Sequence, residues 1–323
     1  MTRVLTGDRP TGPLHVGHYF GSLRNRVRLQ DAGAEVFVLI ADYQVLTDRD
    51  TAERLEEYVI ALVADYLAIG IEPGRSVIFA HSAVPALNQL LLPLLSLVTV
   101  PELRRNPTVK DEIAHSRQAS VSGLMFTYPV HQAADILFCK ADTVPVGKDQ
   151  LPHLEVTRLV ARRFNDRYGA VFVVPEALLS DAPLLPGTDG TKMSKSRGNA
   201  IPLSATADET ARIIRSAVTD SDPHIGYDPV NRPGVSGLLQ LAALCLGKDP
   251  GEVAEGLTGA ARLKATVTEA VNEFFAPFRA RRQVLAAEPG YLREVLREGC
   301  ERASAVGDAT LAEVRAAMGM VYG

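Results

Sequence analysis

The chain has 323 residues, enough for two domains, and 46% of them are hydrophobic, enough for a substantial core. This composition excludes a largely disordered or collagen-like chain. With 34 basic and 38 acidic residues the formal net charge is −4, so a nucleic-acid partner has to be held by local patches rather than by a general positive field.

The predicted elements of the first half alternate between short apolar strands and amphipathic helices. In chain order they are a strand at 3–6, a helix at 14–31, a strand at 35–41, a helix at 50–69, a strand at 76–80, a helix at 86–100 and a strand at 171–174. Asp50 and Glu53 form a capping-box pattern at the start of the second helix. Apolar strands separated by helices are typical of a doubly wound parallel sheet, so we predict an α/β, Rossmann-like fold.

Two later regions depart from this alternation. The stretch 101–122 has little apolar periodicity and several basic residues, so we interpret it as part of an insertion at about 101–160. After residue 200 the strand pattern ends and the periodicity becomes helical. The predicted helical segments there are 205–217, 237–246 and 260–287. We therefore expect an α/β domain over 1–200 and a smaller all-helical domain over 201–323.

The cysteines indicate a reducing compartment, and the apolar runs indicate neither a signal peptide nor a membrane span. Cys139, Cys245 and Cys300 are far apart and form no C-x-x-C pair, so the sequence indicates neither a disulfide framework nor a zinc or iron–sulfur site. The N-terminal apolar run is too short for a signal peptide, and the longest apolar stretch falls short of the roughly 18 residues of a membrane span. We expect a cytoplasmic protein that does not bind membranes.

The first candidate site follows the first strand, where a Gly/Pro turn leads into a helix. Ligands of open α/β sheets bind at the carboxyl ends of the strands, and a helix N-terminus there offers free N–H groups to phosphate. His15 and His18 share one side of that helix and can donate hydrogen bonds to an anion, and Gly17 permits close approach. A helix start with two solvated histidines is the alternative. A metal pair is disfavoured because no third ligand is near.

The second candidate site is the run Lys192-Met193-Ser194-Lys195-Ser196 in a loop rich in Gly and Thr. Two lysines flanking small hydroxyl residues supply cationic donors for oxygens whose charge grows as a phosphate bond breaks. Alone, such a loop is usually solvated surface. Together, H-x-G-H after the first strand and K-M-S-K-S after the last resemble the paired signature of class I aminoacyl-tRNA synthetases.

Further segments resemble bacterial tryptophanyl-tRNA synthetases, and the resemblance covers nearly the whole chain. They are 128–137, 144–150, 154–158, 163–165, 216–221 and 233–239. The resemblance implies ATP-dependent ligation of L-tryptophan to tRNA(Trp) through tryptophanyl-adenylate, with release of AMP and pyrophosphate and with Mg²⁺ as cofactor. Tyrosyl enzymes share the fold and a Tyr…Gln…Asp helix, so they are the nearest alternative. A regulatory or binding paralogue without catalysis is the other, which the intact signature motifs disfavour.

The resemblance also implies a tryptophan pocket. Asp135 would accept a hydrogen bond from the indole N–H, while Tyr128 and Gln150 would hold the α-ammonium group. From the residues alone, Asp135 is either a helix-end carboxylate or a buried acceptor that needs a donor. The other pocket residues implied are Leu5, Gly7, Gln44, Gln132, Val144 and Val146.

The catalytic residues implied are His15, His18, Lys192 and Lys195, which would hold the phosphates and follow the departing pyrophosphate. The ATP-binding residues implied are Arg9, Thr11, Gly17, His18, Gly147, Asp149, Lys192, Met193, Ser194, Lys195 and Ser196. No protein metal ligands are implied. A metal site at Asp135, Asp142 and Asp149 is a weak interpretation, since their spacing does not fix a common face.

Four positions depart from the pattern of the family. Arg9 stands where glutamine is usual, Gln44 where bacterial members often carry histidine, and Gln132 where methionine is common. Glu112 ends a segment that usually ends in lysine. These changes leave the catalytic motifs intact and indicate a divergent branch, for which an auxiliary second copy is one interpretation.

The partners implied are tRNA(Trp), L-tryptophan and a second copy of the chain, but not DNA. The insertion at about 101–160 is the expected homodimer interface, and the helical domain is expected to bind the anticodon. Arg279, Arg281 and Arg282 are candidate contacts to tRNA phosphates, with a solvated helix face as the alternative.

Overall fold

The structure is a computed structural model. It describes residues 2–47, 53–107, 109–110, 121–147, 150–179 and 185–322, of which Thr47 and Ser196 are described for their backbone alone.

The described residues form one five-stranded parallel sheet in the order β3-β2-β1-β4-β5. The strands are β1 (Arg3–Asp8), β2 (Glu35–Ile40), β3 (Ser76–Ala80), β4 (Thr143–Val146) and β5 (Glu176–Leu179). Nearly continuous apolar sequence suits strands that are covered on both faces, and β2 and β3 are almost wholly buried. The predicted α/β fold is therefore confirmed, with the first three strands at or near their predicted bounds.

The strand order reverses at β1, which lies between β2 and β4. Crevices at such a switch point are where open α/β sheets bind ligands. The pair of β1 and β4 is short, with Val4 opposite Thr143. The residues of both strands beyond that pair border the cavity described below.

Helices cover both faces of the sheet and continue beyond it. They are α1 (Val16–His18), α2 (Arg24–Asp31), α3 (Leu55–Ile69), α4 (Pro85–Leu95), α5 (Val100–Arg105), α6 (Gly123–Leu137), α7 (Leu151–Tyr168), α8 (Ala207–Arg215), α9 (Pro233–Leu246), α10 (Pro250–Ala254), α11 (Ala260–Ala286) and α12 (Pro289–Ala317). A π-helical turn at Tyr19–Leu23 joins α1 to α2. The α-helix α3 begins at Leu55 with Arg54 as its N-cap, and Asp50 of the predicted capping box lies outside the described residues.

The strand predicted at 171–174 is wrong, because the last strand is β5, beyond Pro175. The side chain of Asn165 holds the predicted segment instead: its Oδ1 accepts the N–H groups of Val171 and Phe172, and its Nδ2 donates to the carbonyl of Phe172 at 2.7 Å. Backbone groups that bond to a side chain do not need a sheet partner. Strand β4 was not predicted from the sequence, since its Pro145 cannot donate a ladder hydrogen bond.

The helical second half packs directly against the sheet domain. Phe20 of the π-helical turn shares one hydrophobic core cluster with Ile214, Val267 and Phe275. The helix α12, which was not predicted from the sequence, packs along β3. A Cβ on Gly299 would lie 1.8 Å from the carbonyl oxygen of Ile78, so only glycine allows this approach. The domain boundary near residue 200 stays a prediction.

Among the described helices, none has the length and apolar character that crossing a bilayer requires.

Candidate active site

A cavity of about 360 Å³ opens at the carboxyl ends of β1 and β4, closed on one side by α6. All nine residues that were assigned to tryptophan from the sequence line it. They are Leu5, Gly7, Gln44, Tyr128, Gln132, Asp135, Val144, Val146 and Gln150. Arg9 and Gly147, which were assigned to ATP, line it as well. The structure thus gathers residues from four separate segments into one cavity, and their contact with substrates stays a prediction.

Asp135 is the buried acceptor of this cavity. It lies on α6 with 1% of its surface exposed, and neither carboxylate oxygen accepts a hydrogen bond of good geometry from the described residues. A buried carboxylate without donors is costly, so this arrangement favours a ligand that supplies one. Nδ1 of His81, at the end of β3, lies 2.7 Å from Oδ1 of Asp135 and is its nearby charge partner.

Two further pocket residues are fixed by their surroundings. The hydroxyl of Tyr128 lies 3.0 Å from Nε2 of His153, which holds the phenol at the cavity wall. A Cβ on Gly7 would lie 2.4 Å from the carbonyl oxygen of Leu39, so glycine is required where β1 and β2 meet. Gly7 therefore has a packing role whatever it contacts in the cavity.

An ion pair that sequence reasoning missed borders the same cavity. Asp8, at the end of β1, accepts hydrogen bonds from Arg26 at 2.6 Å and from the hydroxyl of Tyr66 at 2.7 Å. Burial alone would raise the pKa of Asp8, but Arg26 and these hydrogen bonds lower it to about 2. The guanidinium of Arg26 also donates to Ser22 and to the carbonyl of Gly7. The network links the end of β1 to the helix that follows it.

The two signature segments are in direct contact. The backbone N–H of Val16 donates to Ile201, and that of Leu203 donates to Leu14 at 2.8 Å. Nζ of Lys195 donates to the carbonyl of Gly12 at 2.8 Å. A Cβ on Gly17 would lie 3.0 Å from the His15 ring and 3.3 Å from the Met193 sulfur, so glycine allows the segments to approach.

The two histidines of the first segment are held neutral. Their ring centroids are 3.6 Å apart, and Nδ1 of His18 accepts the backbone N–H of His15. Burial lowers the pKa of His15 to about 3, and His18 and Lys195 add to the shift. Burial and Lys195 lower the pKa of His18 to about 4. Near neutral pH both rings are therefore uncharged, and each can donate one hydrogen bond to an anion.

The loop of the second segment is organised by Asn199, which the sequence patterns did not single out. Its Nδ2 donates to Asp189 at 2.8 Å and to the carbonyl of Lys192 at 3.1 Å, and its Oδ1 accepts the N–H of Ser194 at 2.8 Å. An isolated asparagine in a polar loop has no periodic pattern that could have revealed this role.

Several predicted residues lie elsewhere or outside the described residues. The cavity lining does not include His15, His18, Thr11, Gly17 or the run from Lys192 to Lys195, and Lys192 is exposed. Asp149, Glu112 and the side chain of Ser196 lie outside the described residues.

The weak metal interpretation includes Asp149, which lies outside the described residues. Asp142 accepts the N–H of Arg3 at the start of β1, the end opposite the cavity. The described residues contain no group of histidine, cysteine or acidic side chains that could hold a metal ion. The described cysteines are all free.

Comparison with known proteins now decides the family. Residues 1–276 match the family described as tRNA synthetases class I (W and Y). The chain belongs to this family.

Full-length relatives of this synthetase are tryptophan–tRNA ligases by name. The one from Treponema pallidum is 42% identical over 99% of this chain and 97% of its own length. The one from Thermotoga maritima is 40% identical over 99% of this chain and 100% of its own length. A similar solved structure, the tryptophanyl-tRNA synthetase of Campylobacter jejuni complexed with ADP and tryptophan, has a TM-score of 0.87 and 32% identity over 98% of this chain and 100% of its own.

Proposed function

We propose that this synthetase ligates L-tryptophan to tRNA(Trp) at the expense of ATP, through tryptophanyl-adenylate. The observation that carries this proposal is agreement over the whole length with relatives named tryptophan–tRNA ligase at 40–42% identity. The tyrosyl-tRNA synthetase of Archaeoglobus fulgidus, at 24% identity, shares the fold alone. The structure therefore gives the tyrosyl alternative no independent support.

The cavity supports a role in holding tryptophan. Its apolar walls suit an indole, and Asp135 presents a buried carboxylate, to which no described residue donates a hydrogen bond of good geometry, as an acceptor for the indole N–H. Tyr128 and Gln150 line the same cavity, which supports the proposal that they hold the α-ammonium group. The carboxylate would then point toward the end of β1, where ATP is expected beside Arg9 and Gly147.

Adenylation needs charge stabilisation rather than a covalent intermediate. The tryptophan carboxylate attacks the α-phosphate, and pyrophosphate leaves. His15 and His18 donate hydrogen bonds to phosphate oxygens as neutral rings, and Lys195 supplies positive charge to the leaving group. Lys192, which is exposed in the same loop, would follow the pyrophosphate as it departs. The contact between the two segments supports catalysis rather than a purely regulatory role.

Mg²⁺ would enter this site with ATP. Of the described carboxylates, Asp8 borders the nucleotide end of the cavity, and it is engaged by Arg26 and Tyr66. Because Mg²⁺ is commonly held by substrate phosphates and water, the chain need not provide a cage for it. When bound, the ion neutralises phosphate charge.

The helical segments over 201–323 are proposed to bind the anticodon. The arginines of α11 differ in whether their side chains are available to contact a tRNA phosphate. Arg282 pairs with buried Asp65 at 2.5 Å, and Arg279 donates to Asn272 and Thr210. These two side chains are engaged inside the protein. Arg281 is exposed and remains a candidate for a phosphate contact.

A homodimer is supported by an apolar surface groove within the predicted insertion. Between α5 and α7, about 300 Å³ of open space is bordered by Leu103, Pro152, Val156 and Leu159. Leu159→Glu should give a monomer in sedimentation equilibrium, whereas Val230→Glu, at an exposed position elsewhere, should not. A dimer that survives Leu159→Glu contradicts this interface.

The direct test is aminoacylation of purified tRNA(Trp) with labelled tryptophan and ATP. We expect charging of tRNA(Trp) with tryptophan and none of tRNA(Tyr) with tyrosine. Since ATP and tRNA are both cytoplasmic substrates, we also propose that the enzyme works in the cytoplasm. Failure to charge tRNA(Trp) while tryptophan binds would favour the paralogue without catalysis.

A further inference from the structure

A buried polar cluster lies behind the tryptophan cavity. Of its side chains, only Asp135 has a role in the proposed function. The cluster consists of Tyr43, His81, His131 and Asp135, from the ends of β2 and β3 and from α6. His81, His131 and Asp135 are each at most 2% exposed. Polar side chains are rarely buried to this degree unless they are paired or functional.

The geometry makes His81 the centre of this cluster. Its Nδ1 lies 2.7 Å from Oδ1 of Asp135. Its ring centroid is 4.1 Å from that of His131 and 5.3 Å from that of Tyr43. Nε2 of His131 lies 3.4 Å from the amide oxygen of Asn88, on α4. The rings therefore fill the space behind Asp135 and limit its movement.

Titratable groups face His81 from each of the elements packed against it, and they decide whether its ring is charged. Burial opposes a charge on His81, but Asp135 of α6 and Asp42 after β2 raise its pKa. Burial lowers the pKa of His131, and His81 adds to that shift. On α12, Cys300 accepts the N–H of Ala80, and burial raises the pKa of its thiol. Of the two rings, His81, beside Asp135, is therefore the one on which a positive charge is favoured.

We propose that His81 is a positioning residue for tryptophan selection, which supplies the counter-charge to Asp135 and holds it as the acceptor for the indole N–H. This inference rests on the proposed role of Asp135. A buried carboxylate that loses its charge partner is left uncompensated, and the ion pair no longer fixes its orientation. An Asp135 that is not held in place makes a poorer hydrogen bond to the indole N–H, because such bonds weaken steeply with distance and angle.

The test compares tryptophan with benzothienylalanine, an isostere in which sulfur replaces the indole N–H. In adenylation assays, His81→Gln should lower kcat/KM for tryptophan by about 10- to 100-fold, as expected for one hydrogen bond to a charged group, mainly through KM. The kcat/KM for benzothienylalanine should change less than about 3-fold, because no N–H is lost. His224→Gln, at an exposed histidine, is the matched control and should change neither value.

The pH profile of the unmodified enzyme gives a second readout. As pH rises through the pKa of His81, its positive charge is lost, so the KM for tryptophan should rise while that for benzothienylalanine does not. In His81→Gln this difference between the substrates should disappear. If that variant does not fold, the profile of the unmodified enzyme still decides the proposal.

Equal losses for both substrates in His81→Gln would overturn the proposal, since they indicate a structural role alone. An unchanged preference for tryptophan would overturn it as well. If the unmodified enzyme does not prefer tryptophan over benzothienylalanine, then the proposed hydrogen bond from the indole N–H to Asp135 is contradicted, and with it the basis of the role of His81. That outcome separates failure of the proposed indole reader from failure of the role of His81.

Discussion

The cavity proposed to hold tryptophan and the pair of signature segments differ in how they are held. The cavity is walled by β1, β4 and α6, so its residues are placed by the sheet and its core. The signature segments meet through a few loop hydrogen bonds, such as that from Lys195 to Gly12, and the contacts of Asn199 organise the loop of the second segment. A rigid wall suits selection of an amino acid before reaction, whereas a loop can follow phosphates that separate during it.

Their histidines also differ in charge. Burial and neighbouring cations hold His15 and His18 neutral, whereas Asp135 favours the charged form of His81. The same type of side chain is thus neutral in the first signature segment and favoured as a cation beside Asp135. The environment of each ring, rather than its identity, sets that role.

Asp135→Ala should have the largest effect, because it removes the proposed indole reader. We expect the preference for tryptophan over phenylalanine, measured as a ratio of kcat/KM in pyrophosphate exchange, to fall by about 10⁴-fold or more, as for other sites built to bind a polar substrate group. Tyrosyl enzymes, which read a hydroxyl in this way, reject phenylalanine by about 10⁵-fold. A variant that still rejects phenylalanine equally well would show that Asp135 does not read the indole.

Lys195→Ala tests the other region. A cation that meets charge developing in the transition state contributes to rate and little to ground-state binding. We expect the single-turnover adenylation rate to fall about 10²- to 10³-fold, as for one lost oxyanion donor, with tryptophan affinity unchanged. Lys248→Ala, at an exposed lysine, is the control. An unchanged adenylation rate would remove Lys195 from catalysis.

Asn199→Ala should also slow adenylation without weakening tryptophan binding, but by a smaller factor than Lys195→Ala. It removes the side chain that ties the loop of Lys192 and Ser194 to Asp189. Misplacement of the loop should slow adenylation roughly 10- to 10²-fold without a change in the dissociation constant for tryptophan. Weaker tryptophan binding in this variant would contradict the separation between the two regions.

The smallest predicted effect is the pH dependence of stability that the histidines cause. Their pKa values can be measured by NMR titration of the rings. The pKa values of His15 and His18 are lowered in the folded protein to about 3 and about 4. Below the unfolded value of about 6.5 the unfolded chain binds more protons at these rings, so their stabilising contribution is complete above that pH and decreases as pH falls toward 4. His81 should titrate above its ordinary value. Three rings with ordinary pKa values would contradict the charge difference.

The fold was predictable wherever burial dictates the pattern, and less so where a single side chain decides it. The strand at 76–80 matches its prediction because both of its faces are buried. The segment 171–174 has an equally apolar sequence, but Asn165 takes the backbone hydrogen bonds of Val171 and Phe172. A contact made by a single side chain produces no periodic pattern in the sequence, so it cannot be predicted from one.

The residues of the site likewise fall into those that sequence motifs could predict and those that they could not. The nine residues that motif resemblance assigned to tryptophan all line the cavity, because they occur in segments with a recognisable order. It missed His81, Asp8 and Arg26, which are distant in sequence from their partners and belong to no local pattern. Their roles follow only from the distances that the fold creates.

Pyrophosphate exchange with each of the twenty amino acids tests the central claim most directly. We predict that tryptophan supports ATP–pyrophosphate exchange far above every other amino acid, tyrosine included. Exchange supported by tyrosine as well as by tryptophan, or by neither, would contradict that claim.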